Sequence, residues 1–201
     1  NQDYLFFIRE IEFKRSHLNN KLSRPSVSAN NQQTGPAMSQ TLFLGVGNTL
    51  LTDEGAGVHA LQYLQQNNNI TGDVEFVDAG TLSFTLADSI ANAHNLIILD
   101  AAELGEEPGY VRVFEGAELD DFLMSGKRSV HEVGFADLMD IARLQDCLPV
   151  NRALIGIQPG SFGWGDEPGE AVSAAIPTVA DLATQLLNRW TTDSMQEVVN
   201  Q

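Results

Sequence analysis

Two short stretches restrict the fold more than anything else in the chain. Asn95–Leu99 reads NLIIL and Thr41–Val46 reads TLFLGV, and neither alternates polar with apolar residues as a half-solvated strand would. Strands without alternation are buried on both faces, the situation of parallel strands covered by helices above and below. Parallel neighbours also need a long crossover, normally a helix, between them. The remaining sequence supplies such helices. Val58, Leu61 and Leu64 form a stripe that predicts a helix over about 54–66. A short helix is expected around 84–93, and Phe135, Leu138, Met139 and Ala142 predict another over about 134–144. Val179, Leu182, Ala183, Leu186, Leu187 and Trp190 predict a last helix over about 178–190.

Strands are read between them at 74–77, 109–114 and 152–157, besides the two above. The segment YVRVF alternates and follows the turn-rich GEEPG, so 109–114 is expected to be an edge strand running antiparallel. The resulting fold class is α/β, a three-layer α/β/α sandwich around a mostly parallel sheet. Residues 1–37, rich in Ser, Asn, Gln and Pro, are expected to be a weakly structured N-terminal extension. Residues 38–201 are expected to be a single domain, starting at Met38 just before the first strand.

In open sheets of this kind ligands gather beyond the carboxyl ends of the strands. Three segments bring polar groups there: GNTLLTDE after the first strand, DAGT after the second and DAAE after the third. The first of these imitates a nucleotide-binding turn, but the match fails. A dinucleotide fingerprint needs a third glycine where this chain has Leu50, and a P-loop needs a Lys followed by Ser or Thr, which is absent. The charge has the wrong sign as well. Helix N-termini attract anions, yet this helix opens with Asp53 and Glu54, which are expected to cap it and to repel a phosphate.

Asp100 closes the most apolar strand, where a partly desolvated carboxylate needs a partner or a cation. His131 lies just before a helix, as a cleft-facing ligand or a brace of its loop. Two carboxylates and an imidazole suit a divalent transition metal with open coordination positions, nickel or zinc among them. Such a metal can polarise a peptide carbonyl and bring the pKa of bound water toward about 7. Asp78 is read either as a base or partner of this group or as a structural turn residue. No competing nucleophile emerges. Cys147, the one cysteine, follows a helix, where the dipole raises a thiol pKa, and it reads as a half-buried structural thiol. HEVGF lacks the second His of a zinc-protease HExxH motif.

The single cysteine fits a reducing cytoplasm, and no apolar run approaches the roughly 18–20 residues of a membrane span. Residues 1–37 carry five Lys/Arg against three Asp/Glu, whereas the remainder carries six against 24. A surface that negative argues against nucleic-acid and membrane partners and leaves a basic protein or a cation.

The blocks LGVGNTLLTDEGAGV, VDAG followed by Thr81, LIILDA and SVHEVGFADLM, in that order, resemble the hydrogenase maturation endopeptidases. The likeness runs from about Thr41 to Trp190. It implies a twisted five-stranded sheet between helices, with Glu54, Asp100 and His131 contacting metal. It also implies one cut near the C-terminus of a [NiFe]-hydrogenase large-subunit precursor, after nickel insertion, made by a nickel-dependent endopeptidase of aspartic or metallo type. The nickel would be the precursor's own rather than a permanently bound metal, and the enzyme a cytoplasmic monomer. The alternative is a nickel-binding carrier with the same fold, supported by Glu132 where the family usually has Gln. The stretch from Gly160 to Gly169, variable in the family, is expected to touch the precursor.

Overall fold

The computed structural model describes residues 41–81, 84–124 and 132–199. They lie in one compact unit, Met38–Gln201, and the expectation for residues 1–37 falls outside them. Its five strands are β1 (Thr41–Val46), β2 (Val74–Gly80), β3 (Asn95–Ala101), β4 (Val111–Glu115) and β5 (Asn151–Ile157). Five helices accompany them among the described residues: α1 (Ala56–Asn67), α2 (Ala87–Asn92), α3 (Ala117–Met124), α4 (Glu132–Leu144) and α5 (Glu170–Val199). The sheet order is β2-β1-β3-β5-β4, parallel except for β4, which pairs antiparallel with β5 at the edge. This is the expected α/β sandwich, antiparallel edge included.

The uninterrupted apolar runs behave as their composition requires. Every residue of β1 and β3 is buried. Phe43, Ile97, Leu99 and Ile155 face a core closed by α1 and α5, and Leu42, Leu44, Ile98 and Leu154 face a second core closed by α2, α3 and α4. Register is fixed at the amino ends of the central strands by polar side chains. Asn151 Nδ2 donates to Asn95 Oδ1 at 2.8 Å, and Asn95 Nδ2 donates to Thr41 Oγ1 at 2.9 Å. A slip of one residue would turn both buried faces inside out, so a ladder joining β1, β3 and β5 also aligns their carboxyl ends.

Several boundaries differ from the pattern-based reading. α5 begins at Glu170, not near 178, and runs through Pro177. Val172, Ala175 and Ile176 are buried in the same core as Val179 and Ala183, and that burial outweighs the single helical hydrogen bond lost at the proline. α3 was not expected at all; its buried stripe is only Leu119 and Phe122. α1 begins at Ala56, because residues 52–55 form a separate 3-10 turn.

Candidate functional site

With strand order 2-1-3-5-4, the chain leaves β1 toward one side of the sheet and β3 lies on the other. The crevice at such a switch point, beyond the carboxyl ends of β1 and β3, is where open α/β sheets bind ligands. Glu54 and Asp100 belong to the segments that bound it.

The glycines of the opening turn make that crevice by close packing, not by cradling a phosphate. A Cβ on Gly57 would lie 2.1 Å from the Leu99 carbonyl oxygen and 2.4 Å from that of Val46. A Cβ on Gly45 would lie 2.8 Å from the Gly57 carbonyl oxygen. Helix α1 therefore rests directly on the β1 and β3 backbones. Gly47, at φ +137°, turns the chain where a Cβ would meet the Glu54 carbonyl oxygen at 2.0 Å, and its N–H donates to Gly80 at 2.8 Å. Glu54 is thus held by its own backbone against the end of β1, half-buried. Asp100 sits one strand away at the end of β3, 4% exposed. By alternation it shares the sheet face of Leu96 and Ile98, the face covered by α2, α3 and α4.

Asp53 has a different role from the one expected. It caps neither the 3-10 turn nor α1, whose N-caps make no side-chain cap bond. Its carboxylate is 2% exposed and reaches across to the loop after β5. There it accepts the N–H groups of Gly169 (2.6 Å), Gly160 (2.8 Å) and Ser161 (2.9 Å). Thr52 completes the joint. Its Oγ1 donates to the Ser161 carbonyl and accepts from Gly163 N–H, both at 3.1 Å. Its backbone N–H donates to Gly165 at 2.9 Å, from a left-handed conformation (φ 41°) unusual for a β-branched residue. Backbone strain of this sort persists only where the surroundings over-determine it, and it concentrates at functional sites.

A second buried residue absent from the sequence reading, Gln158, ties the third loop to the same place. Its Oε1 accepts Leu104 N–H at 2.7 Å and Glu106 N–H at 3.3 Å, while Nε2 donates to Glu103 Oε1 at 3.1 Å. The loops after β1, β3 and β5 are therefore one hydrogen-bonded platform around the switch point. Neither Asp53 nor Gln158 stands in a motif that reveals a partner more than 50 residues away.

Asp78 lies exposed at the end of β2, on the far side of β1 from Asp100, and its Oδ1 accepts Gly80 N–H at 2.9 Å. Alternation gives it the face of Val74 and Phe76, opposite that of Asp100. His131 lies outside the described residues. Helix α4, which follows it, joins the amino end of β5 through a short link, so its first residues lie toward the carboxyl ends of the strands. Among the described residues no group of three or more His, Cys, Asp or Glu is arranged to hold a metal ion. Glu54 lies in the 3-10 turn Thr52–Gly55 and Asp100 near the end of β3, in the two segments that bound the crevice. Cys147 is half-buried, its thiol pushed upward by burial and then by neighbouring Asp146.

Comparison with known proteins gives a consistent result. Residues 58–186 match the family model described as HycI, hydrogenase maturation protease. The hydrogenase expression/formation protein HupD of Rhizobium leguminosarum bv. viciae is 32% identical over 156 residues, 77% of each chain. Among solved structures, the hydrogenase maturating endopeptidase HybD from E. coli superposes with a TM-score of 0.70 at 31% identity, covering 75% of this chain and 93% of that one. The [NiFe] hydrogenase maturation protease HybD from Thermococcus kodakarensis gives 0.64 at 28% identity, covering 73% and 98%.

Proposed function

The chain belongs to the hydrogenase maturation proteases, and from that membership we propose that it removes the C-terminal tail of a [NiFe]-hydrogenase large-subunit precursor once nickel has been inserted. The observation that carries the reading is the position of Glu54, in the 3-10 turn packed against the end of β1, and of Asp100, near the end of β3, at the β1/β3 switch point, with a hydrogen-bonded platform around them.

In this reading nickel arrives as part of the substrate. The Glu54 and Asp100 carboxylates and the His131 imidazole complete its coordination, hard oxygens and one nitrogen being a set that nickel accepts. Recognition then depends on the precursor's state: an empty precursor offers nothing for the three groups to hold. A nickel ion bound there would polarise the scissile carbonyl or acidify a water. The chain's own residues orient the bond and exclude competing geometries, the contribution of a preorganised site. Asp78 acts as the brace of the turn at the end of β2, supported by its hydrogen bond to Gly80. Processing belongs to the cytoplasm, the compartment the single free thiol favours.

The test is purified protein mixed with nickel-loaded and nickel-free precursor. Cleavage of the loaded form alone is the expected result. Equal cleavage of both removes nickel recognition, and tight nickel binding without cleavage favours the carrier alternative.

A further inference from the structure

Exposed large apolar side chains are few in the described residues, and three of them fall on the platform. Trp164 is 88% exposed, Leu50 59% and Phe162 53%. They form one surface because the backbones beneath them are stitched together. Leu51 and Gly165 form a parallel bridge, with Gly165 N–H donating to Leu50 at 3.0 Å. The residues one position earlier, Leu50 and Trp164, consequently lie side by side. Phe162 stands between Ser161 and Gly163, the two residues bonded to Thr52. Leu50 belongs to the same loop after β1 as Glu54.

A solvated tryptophan normally gains by burying itself against its own protein; here Asp53 and the strained Thr52 hold its loop in place. Rigid aromatic side chains on a fixed backbone lose little entropy on binding, which is how interface hot spots are built. The surrounding charge restricts the partner. No Lys or Arg occurs from residue 41 to 111 or from 153 to 188, whereas Glu103, Glu106, Glu107, Asp166 and Glu167 stand on these loops. A chain of net charge −16 offers its own copy only like-charged contacts there, and anionic lipid fares no better.

We infer that Leu50, Phe162 and Trp164 form a docking surface for the precursor, holding an apolar or aromatic side chain of it that is flanked by Lys or Arg. This rests on the function proposed above and adds to it a contact outside the cleavage chemistry. Substrate choice then resides partly in this patch, through binding, and partly in nickel, through chemistry.

The experiment compares the parent with Trp164→Ala and Phe162→Ala on nickel-loaded precursor. A truncated anchor raises KM at least tenfold while kcat stays within about twofold, since a hot-spot truncation weakens binding without touching the reacting bond. Asp166→Asn with Glu167→Gln flattens the salt dependence of KM. Fluorescence reads binding separately, because the only other tryptophan, Trp190, is buried. Precursor shifts the emission of the parent but not of Trp164→Ala. A parent that cleaves while Trp164→Ala keeps its KM overturns the docking surface and leaves the proposed function standing. A parent that cleaves nothing overturns the function; a saturable emission shift with precursor then still supports the surface, and no shift overturns it. Dimerisation lost in Trp164→Ala, with KM unchanged, assigns the patch to a second copy and overturns the inference.

Discussion

Asn in place of Asp53 is nearly isosteric but retains only one acceptor oxygen. If that oxygen stays on the Gly160 and Ser161 amides, the new NH2 group faces Gly169 N–H, 2.6 Å from the present Oδ1. A hydrogen bond to a charged acceptor contributes about 1.5–3 kcal/mol, and a stranded buried donor costs about 1–3 kcal/mol. The two figures describe overlapping effects of the same lost contact, so Asp53→Asn should cost about 2–3 kcal/mol. At about 2–4 °C per kcal/mol for a domain of this size, Tm falls by roughly 5–10 °C. If the loop opens before the domain unfolds, the same free energy appears as amide exchange about 30–150 times faster at Gly160, Ser161 and Gly169. Thermal melts followed by exchange measurements distinguish the two cases. Glu54→Gln is the control, since it should abolish processing with Tm near the parent's. An Asp53→Asn protein with the parent's Tm and the parent's exchange at all three amides would refute the view that Asp53 locks the platform.

Gly57→Ala puts a Cβ within 2.1 Å of a backbone carbonyl that cannot move without displacing β3, so urea unfolding should register a loss of about 3 kcal/mol or more; Gly163→Ala, with open space around it, should stay within about 0.5 kcal/mol. His131→Ala and His131→Gln should both fail to process nickel-loaded precursor while circular dichroism stays near the parent's, and rescue by Gln would reduce His131 to a loop brace. Processing should decline as pH falls below about 6, because a protonated imidazole cannot ligate nickel, and a pH–rate profile flat to pH 5 would contradict this. The Cys147 thiol is held above its ordinary pKa, so the thiolate is scarce at neutrality and appears only as pH rises: iodoacetamide at pH 7 should label it slowly and leave activity intact, with labelling accelerating toward pH 10.

Much of the architecture could be read locally. NLIIL and TLFLGV became strands buried on both faces because burial on two sides demands apolar residues at every position, a one-dimensional signature. The stripe of α4, Phe135 to Ala142, is buried as its spacing required. The alternating YVRVF became the antiparallel edge strand, with Val111 and Val113 packed on one core, Phe114 buried in the other and Arg112 exposed. Where local signals fell short, the fold extended them: the helix expected from about 178 begins at Glu170 and runs through Pro177, since Val172 and Ile176 gain more by completing the core than the proline loses.

The site divides in the same way. That carboxylates cluster at strand ends was legible, because strand–loop boundaries are set by neighbouring residues, and the family motif singled out Glu54 and Asp100 among them. Which of two adjacent acids ties the loops together was not. Asp53 and Glu54 are equivalent to any rule of helix capping, and only the arrival of the β5 loop, more than 100 residues later, turns Asp53 into a buried acceptor of three amides. The bonds of Gln158 and the pairing of Leu50 with Trp164 are invisible in sequence for the same reason, although the 160–169 stretch itself was singled out there. Periodicity and propensity act over a few residues, whereas a hydrogen bond between loops exists only once the sheet order has brought β1 and β5 to either side of β3. The sequence by itself determined the layers, because apolar patterning is local; tertiary structure decided which of the two adjacent acids holds the scaffold, because its partners arrive from another strand's loop.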